Sequence, residues 1–474
     1  MKIQTESIVK ELASLIEKGT VSQDIQVLKD HDTDMWPLRM VEKAVGKELQ
    51  GPLCVVKPAT TEEVSKVLAY LNEHKISVVP YGGGSGVTGG SEPDCESVII
   101  DVGHMNSILD LNEDNLTVTA QPGVVLRDLE TYLESNGYTG GHFPQSIDLA
   151  QLGGLVATRS SGQYSTKYGN IEDLLLGLEA VLPDGEVIRI KDVPRRSVGP
   201  DLRHIFLGSE GTMGIITEVT LKVFEKSTDR WLGAYAIKDM EQGLKIIQRF
   251  IRTGWNPAVT RLHDAVEAER SYSNFIEEGE SILLLLSEGP EGYAQTEGTA
   301  IDKIVQAGGG RALGDKPLIQ WLEKRNNTKE LEEYTSQGII VDTIEISANW
   351  SDVAVIYEEV LANLKRDVPE VMVASGHSSH SYDQGTNIYF MLGAMPKRNV
   401  EDVSRVYKAM WQSVIETTLS HNGSICHHHG IGKVRAQWVP SELGSSYQIL
   451  EKVKMSLDPN GIMNKGTLMP QNEK

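Results

Sequence analysis

The order of apolar and polar positions predicts a β-α-β unit near the start of the chain. Short apolar runs at 52–56 and 76–80 are typical of buried strands. Between them, Thr60 and Glu63 have the spacing of a capping box, and the apolar residues that follow recur every three or four positions. We therefore expect a helix between two strands. An amphipathic helix is expected ahead of this unit, within residues 1–48.

Further along, the segment 116–137 predicts a strand and then a helix, with Gly137 placed to end the helix. Two β-like runs surround Pro-Asp-Gly within 175–190, which predicts a hairpin, and 214–224 alternates as a strand does. After about residue 228 the pattern changes to longer amphipathic helices between isolated strands such as SILLLLSE and IYFMLGAM. This change predicts a second domain of mixed α+β structure.

Length and charge narrow the classes of function. A chain of 474 residues is too long for one compact core, and its net charge of −21 argues against a nucleic-acid partner, which needs a basic face. No apolar run is long enough to cross a bilayer, and no signal peptide is recognisable. The three cysteines form no CxxC pair, which argues against a disulfide framework. We expect a cytoplasmic protein and leave open a peripheral membrane contact and a homodimer.

The segment PYGGGSGVTGG at 80–90 formally matches the GxGxxG dinucleotide fingerprint, and Asp101 follows at a plausible distance. That fingerprint requires a helix directly after the glycines. Here the glycines lead into SEPDCES and then into a further β-like run, so the sequence excludes a Rossmann site. A glycine-rich backbone can still close around an anion, and the alternative is a flexible surface loop.

Two more stretches, 144–188 and 202–223, contain glycines and small polar residues ahead of strands. In this order, with the glycine loop, they resemble the FAD-binding domain of the vanillyl-alcohol-oxidase-type (PCMH-type) flavoproteins. The resemblance implies an α+β fold: a helical lead over 1–48, a two-subdomain PCMH-type FAD-binding domain over 49–228, an α+β cap (substrate) domain over 229–420, and a C-terminal segment over 421–474 that completes the flavin site.

The same resemblance implies that the FAD pyrophosphate lies on the glycine loop. Some family members attach flavin through a histidine near this loop. The loop itself has none, so we expect noncovalent FAD, with His142 as the nearest exception. The residues expected to bind the cofactor are Pro80, Gly82, Gly83, Gly84, Ser85, Gly86, Val87, Gly89, Gln145, Ser146, Gly153, Gly154, Thr158, Ser161, Gly162, Tyr168, Gly169, Glu210, Gly211, Ile215 and Ile216.

The segment SICHHHGIGKVR at 424–435 places three histidines side by side. In an extended segment His427 and His429 would share one face and His428 the other, so at most two of them converge. A metal site would need further ligands, for which His377 and His380 are the candidates. Related 2-hydroxyacid dehydrogenases carry a glutamate in place of one of these histidines. Its absence here leads us to expect no metal.

The HHHGIGK segment, together with IYF at 388–390, resembles the alkylglycerone-phosphate synthases. That resemblance implies a reaction without net redox change: a base removes a proton from C1 of an acyl-dihydroxyacetone phosphate, the fatty acid leaves, and a long-chain alcohol replaces it. By the same resemblance, Tyr389 is the acid–base residue, the three histidines surround the reacting centre, and Arg261 and Arg325 bind the anionic group.

These residue types suit that chemistry. A tyrosine with a pKa near ~10 is a poor base unless neighbouring cations or imidazoles stabilise its phenolate. Histidines titrate near neutrality and pass protons on, and a guanidinium orients a phosphate or carboxylate. The structural alternatives are a half-buried strand tyrosine for Tyr389 and a surface salt bridge for Arg261. Arg195, Arg196 and Arg203 are expected to line the flavin or a loop.

Three functions remain open. The first is a synthase-like flavoenzyme acting on a small anionic substrate, with a long-chain alcohol as second substrate. The second is a D-2-hydroxyacid dehydrogenase of the lactate or glycolate type, which needs an electron acceptor. The third is a flavin-binding subunit without catalysis, which we disfavour because titratable residues and arginines would then lack a purpose.

Overall fold

The computed structural model describes residues 2–326 and 329–471. Its strands form four sheets. The order in the first sheet is Thr20–Ser22, Cys54–Lys57, Val98–Asp101, Val78–Tyr81, and in the second Ile108–Asn112, Thr117–Ala120, Ile215–Lys222, Leu175–Val181, Val187–Ile190. The strands Phe224–Glu225 and Tyr138–Thr139 pair with each other. The largest sheet has the order Arg311–Gly314, Asp229–Ile237, Ser281–Gly289, Val259–His263, Val371–Ser378, Gly385–Ala394, Ile340–Asn349.

The helices cover these sheets. In the first half of the chain they are Lys2–Leu15, Ile25–Asp30, Pro37–Ala44, Thr61–Glu73, Leu126–Ser135, Leu152–Ala157, Ser165–Tyr168, Ile171–Leu174 and Arg203–Phe206, with a 3-10 turn at Val102–His104. In the second half they are Met240–Arg252, Ala265–Tyr272, Tyr293–Ala307, Lys316–Lys324, Lys329–Ser336, Val353–Asp367, Val400–Ser420, Val439–Leu443 and Tyr447–Leu457, with 3-10 turns at Ala436–Trp438 and Gly444–Ser446.

The predicted β-α-β unit is confirmed. Its two outer strands both pair in parallel with Val98–Asp101. Thr60 caps the intervening helix, because its hydroxyl accepts the N–H of Glu63 at 3.2 Å. Glu63 does not return the bond as a capping box requires. Its carboxylate instead accepts the N–H groups of residues 17–19 and of Ala59, which fixes the end of the N-terminal helix against this unit.

The rest of the first half also follows the predicted pattern. The hairpin joins Leu175–Val181 to Val187–Ile190 in antiparallel register. Gly137 follows the helix Leu126–Ser135 with a φ of 86°, a left-handed conformation that suits glycine. Apolar side chains from the second sheet and its helices form one core, and those of the first sheet form another. Two subdomains are therefore present, as expected for the FAD-binding domain.

The predicted cap is an antiparallel seven-stranded sheet with long helices on it. The strand Gly385–Ala394 pairs with Ile340–Asn349 along its whole length, which places Tyr389 directly opposite Glu345. A single large apolar core lies between this sheet and the helices Met240–Arg252, Val353–Asp367 and Val400–Ser420.

The first 48 residues are not only helical. The strand Thr20–Ser22 adds to the edge of the first sheet, and the indole of buried Trp36 donates to the Tyr407 hydroxyl of the cap at 2.9 Å. The C-terminal segment also joins both domains, since Met463 bridges to Val78 and Ser424 to Ser347. Both chain ends thus fix the two domains together. Within the described residues, no helix is long and apolar enough to cross a membrane.

Candidate active site

Four segments separated in sequence meet around the glycine loop. The backbone of Gly83 packs against Leu149 so closely that a Cβ would overlap the Leu149 carbonyl. Gly90 lies against the carboxylate of Glu210 and the backbone of Gly432. The loop continues through turns into Val98–Asp101 without a helix, so the exclusion of a Rossmann site is confirmed. The predicted cofactor stretches and the histidine segment therefore form one site.

The residues at this site fit a phosphate-bearing, hydroxyl-rich cofactor. A Cβ added at Gly154 would meet no atom within 4 Å, and one at Gly82 would meet only Gln151, at 3.5 Å. The buried Oε1 of Gln151 and Oδ2 of Asp34 lack hydrogen-bond partners among the described residues. Burial raises the pKa of Asp34 to about 7. Open glycine backbone beside unsatisfied polar atoms is the arrangement that a bound FAD would complete.

Several residues expected to bind the cofactor have side chains that are engaged within the protein. Tyr168 donates to Glu288 of the cap at 2.6 Å. Glu210 accepts the N–H groups of Ile431 and Gly432 at 2.6 and 2.8 Å, and burial raises its pKa to about 7. The side chains of Ile215 and Ile216 are buried in the two cores of this domain. These side chains therefore hold the protein around the expected cofactor site together.

The histidine run is anchored on a buried glutamate. The N–H groups of His427, His428 and His429 all donate to the carboxylate of Glu345. Fully buried Arg435 lies 3.3 Å from the same carboxylate and donates to the Gly430 carbonyl at 2.6 Å. Although burial alone would raise the pKa of Glu345, Arg435, the histidines and the backbone donors lower it well below its usual value. Glu345 is therefore an anion at neutral pH.

This anchoring curls the segment, so the predicted alternation of the histidines is wrong. Three successive N–H groups that point at one carboxylate cannot belong to an extended strand, whose N–H groups alternate in direction. The side chains that converge are those of neighbours: His427 Nδ1 and His428 Nδ1 lie 2.8 Å apart. The ring of His380 lies 4.9 Å from that of His427 and 5.0 Å from that of His428.

Hydrogen bonds connect this pair to Tyr382 and Asn170. Asn170 Nδ2 donates to the oxygen of Tyr382 at 3.0 Å, and the Tyr382 hydroxyl lies 2.7 Å from His427 Nε2. The two facing Nδ1 atoms share one proton, which one ring donates to the other. The hydrogen-bonded chain accounts for the short distance between the two rings. The nitrogens of His380, His427 and His428 also lie within 4.8 Å of one another, a spacing at which three imidazoles can ligate a metal.

Tyr389 lies at the other end of the run. Its hydroxyl is 3.2 Å from His429 Nε2, and His429 Nδ1 is 3.8 Å from the carboxylate of Glu345. Among the described residues, His429 Nδ1 has no hydrogen-bond partner. The ring of His377 stacks on that of Tyr389 at 4.7 Å. The Tyr389 hydroxyl is thus within hydrogen-bond reach of His429, and the carboxylate of Glu345 lies at ion-pair distance from the other ring nitrogen, too far for a hydrogen bond.

Burial sets the resting charges of Tyr389 and the three histidines. It raises the pKa of Tyr389 to about 12 and lowers the pKa of His427 and His428 to about 3 and that of His429 to about 4. Arg261 acts to lower the pKa of Tyr389, but burial outweighs it. At neutral pH Tyr389 is a phenol and the histidines are neutral.

The two predicted substrate arginines lie against one aromatic ring. The guanidinium carbon of Arg261 is 5.5 Å, and that of Arg325 5.8 Å, from the ring centre of Trp321. Arg325 donates to Gln163 at 2.8 Å, and Arg261 contacts His263 and His377. Among the described residues, neither arginine forms an ion pair, so the surface salt bridge considered for Arg261 is wrong.

The remaining candidates lie in other places. Arg196 donates to the Lys191 carbonyl within a loop, and Arg203, at the start of the helix Arg203–Phe206, pairs with Asp201. Arg195 is exposed in the same loop. His142 is buried and lies 2.7 Å from the hydroxyl of Ser160.

Sequence reasoning missed two buried acids. Glu345 lies in the strand Ile340–Asn349, which also contains Asp342, and a charged residue between Ile344 and Ile346 was the available signal. Glu267 is the third residue of a helix capped by Asp264, a spacing that the sequence explains fully as helix capping. Its carboxylate actually contacts two histidines.

Comparison with known proteins identifies the family of the chain. The family described as "FAD binding domain" matches residues 52–191, and "FAD linked oxidases, C-terminal domain" matches residues 227–468. The chain is 40% identical over 484 residues to the uncharacterized FAD-linked oxidoreductase YgcU of Escherichia coli (strain K12), covering 99% of both chains. It is 30% identical over 468 residues to the alkyldihydroxyacetonephosphate synthase of Caenorhabditis elegans, covering 91% of this chain and 78% of that one.

A third relative is the mitochondrial cytochrome-type D-lactate dehydrogenase of Arabidopsis thaliana, 26% identical over 99% of this chain and 83% of its own. Among solved structures, an alkyldihydroxyacetonephosphate synthase matches with a TM-score of 0.79 at 22% identity, covering 97% of this chain and 84% of that one. A p-cresol methylhydroxylase matches with a TM-score of 0.75 at 18% identity, covering 100% and 98%. These likenesses confirm the PCMH-type fold. The chain therefore belongs to the FAD-linked oxidases, is an enzyme of the FAD-dependent oxidoreductase family, and has FAD as its cofactor.

Proposed function

We propose that this enzyme removes a proton from a small anionic substrate through Tyr389 and His429, beside noncovalently bound FAD, in a reaction like that of the alkylglycerone-phosphate synthases. The observation that carries the proposal is the line from the Tyr389 hydroxyl through His429 to the carboxylate of Glu345. The synthase relative from Caenorhabditis elegans, at 30% identity, supports the same reaction class.

The proton passes through Tyr389 rather than stopping on it. The raised pKa of Tyr389 supports a neutral phenol in the resting site. As the phenol oxygen takes a proton from substrate carbon, its own proton moves to His429 Nε2, 3.2 Å away. The imidazolium that forms is stabilised by Glu345, whose carboxylate lies 3.8 Å from Nδ1. The reverse transfer then lets Tyr389 protonate a leaving oxygen.

The other residues orient the reactants. When bound, FAD supplies an electron-accepting ring, and the glycine loop 82–90 would hold its pyrophosphate. Arg261 would bind the phosphate or carboxylate of the substrate, and Arg325 lies on the same Trp321 ring. Neither Tyr389 nor His429 requires a metal ion in this scheme.

A second candidate function is oxidation of a D-2-hydroxyacid. It is favoured by the D-lactate dehydrogenase relative and by the three imidazoles of His380, His427 and His428, which have metal-ligand spacing. In that reaction a histidine takes the hydroxyl proton of the substrate, and an external electron acceptor is required.

One set of measurements separates the two. Wild-type holoenzyme would be assayed for exchange of the acyl group of acyl-dihydroxyacetone phosphate with a long-chain alcohol, and titrated anaerobically with D-lactate and glycolate. In the synthase-like case exchange occurs, the hydroxy acids do not bleach the flavin, and Tyr389→Phe keeps FAD while lowering turnover by roughly two or more orders of magnitude. Flavin bleaching by a hydroxy acid, with activity lost to a chelator and restored by a divalent ion, would instead establish the dehydrogenase.

A further inference from the structure

Arg261 is held by two imidazoles and not by a carboxylate. Its Nε donates to His263 Nε2 at 3.0 Å, and its Nη2 donates to His377 Nε2 at 2.9 Å. On their other sides, His263 Nδ1 and His377 Nδ1 lie 2.5 and 3.0 Å from the carboxylate of Glu267. The four side chains form a closed ring of hydrogen bonds, and those of His263, His377 and Glu267 are buried.

This ring permits only one placement of protons. The arginine N–H groups can only donate, so both Nε2 atoms must be acceptors. A neutral histidine whose Nε2 accepts carries its proton on Nδ1, and the acceptor that both Nδ1 atoms contact among the described residues is Glu267. Burial lowers the pKa of His377 to about 4 and also lowers that of His263. Although burial opposes it, the two histidines lower the pKa of Glu267 well below its usual value.

Strand register builds the ring. Arg261 and His263 are two residues apart in Val259–His263 and so lie on one face of the sheet. His377 is the register partner of His263 on the neighbouring strand. Asp264 caps the next helix directly after the strand, which brings Glu267 back over both rings. Residues close together in the chain therefore supply every member of the ring except His377, which comes from the neighbouring strand.

The guanidinium of Arg261 keeps three N–H groups for which no described residue is an acceptor. Arg435 is the contrasting case in the same domain. Arg435 is fully buried, whereas Arg261 is only partly buried, and Arg435 pairs with Glu345 and donates to two carbonyls, so its charge is neutralised within the protein. The two imidazoles separate the guanidinium of Arg261 from the carboxylate of Glu267. The positive charge of Arg261 is therefore available to a ligand.

We propose that Glu267 is a positioning residue: by fixing the Nδ1–H tautomers of His263 and His377, it turns both Nε2 atoms toward Arg261, so that Arg261 presents an unpaired guanidinium to the anionic group of the substrate. That the substrate group bound by Arg261 is an anion rests on the proposed function. The tautomers do not, because they follow from the hydrogen bonds alone.

The tautomers can be measured without a substrate. In holoenzyme labelled with 15N-histidine, long-range 1H–15N spectra distinguish Nδ1–H from Nε2–H rings, and loss of signals in His263→Gln and His377→Gln assigns the two residues. We expect both to be Nδ1–H in the wild type. An Nε2–H ring at either position, or Nδ1 atoms without protons as in a metal complex, would overturn the proposal whether or not any variant folds.

The anion role is tested with Glu267→Gln. A glutamine keeps the shape, but it replaces one carboxylate oxygen by an NH2 group and removes the negative charge, so the Nδ1–H tautomers lose part of the acceptor that holds them. We expect inorganic phosphate, titrated calorimetrically into holoenzyme, to bind at least tenfold more weakly to Glu267→Gln, with FAD content unchanged. Glu269→Gln, an exposed charge change on the same helix, is the matched control and should bind phosphate as the wild type does.

Equal phosphate binding by Glu267→Gln and the wild type would refute the positioning role. Absence of phosphate binding by the wild type would refute the presentation of Arg261 to an anion. Both outcomes are independent of the Tyr389→Phe experiment. If Tyr389→Phe kept the full turnover of the wild type, the proposed function would be contradicted, and the tautomers of His263 and His377 would be unaffected.

Discussion

Replacing Glu345 by glutamine separates the two roles that the structure gives this residue. The carboxylate anchors three backbone N–H groups and Arg435, and it faces His429 Nδ1. Removing the charge leaves Arg435 buried without its counter-ion, a loss that costs about 3–5 kcal/mol in comparable buried pairs. We therefore expect the free energy of unfolding to fall by that amount.

The effect on turnover follows from the distance between the charges. At 3.8 Å and an effective dielectric constant of about 20, Glu345 stabilises a His429 imidazolium by about 4 kcal/mol. Arg435, 3.3 Å from the same oxygen, offsets part of this attraction. Because each ~1.4 kcal/mol changes a rate tenfold, we expect kcat to fall roughly a hundred- to a thousandfold.

The assay measures kcat on the substrate that the wild type accepts, urea unfolding, and FAD content for each purified variant. Glu179→Gln is the matched control, since Glu179 is also buried, accepts from Thr61 and Thr217, and pairs with Arg189 away from the site. It should lower stability and leave kcat of the folded protein unchanged. If Glu345→Gln loses stability and keeps wild-type kcat, Glu345 is an anchor only and the proton line is refuted.

Three further outcomes are expected. Acid precipitation should release yellow FAD into the supernatant, and flavin in the protein pellet would contradict noncovalent binding. Gly82→Val should fold and lose FAD, because its Cβ would meet only Gln151 at 3.5 Å within the protein. Full FAD loading of Gly82→Val would show that the phosphate loop is misplaced. Gly84→Val is a poorer test, since a φ of 64° and the Tyr81 hydroxyl already oppose a side chain there. Burial lowers the pKa of His142 to about 4, below its usual value in the unfolded chain, so protons favour unfolding as pH falls from about 6.5 toward 4. Between neutral pH and about pH 5, His142→Gln should therefore lose about 2 kcal/mol less of its free energy of unfolding than the wild type loses, as measured by urea unfolding. His104→Gln, a change at an exposed histidine, should lose as much as the wild type.

Much of the fold was predictable because its signals are local. The β-α-β unit, the Pro-Asp-Gly hairpin and the alternating strand at 214–224 each arise from neighbouring residues, and each is confirmed. The failure of GxGxxG at 84–89 as a Rossmann site was also predictable, since it depends only on the residues directly after the glycines. Resemblance in the order of motifs supplied the flavoprotein family and its cofactor.

The candidate site was predictable in its members and not in its arrangement. The sequence by itself determined that Tyr389, the histidine run and Arg261 carry titratable or cationic groups and that residues 80–90 are rich in glycine. Only the tertiary structure decided that Glu345 curls residues 427–429, that neighbouring histidines converge, and that Glu267 orients Arg261 through two imidazoles. The physical reason is that burial and long-range contacts set pKa values and tautomers. A carboxylate 84 positions away from His429 in the chain decides which way its backbone turns.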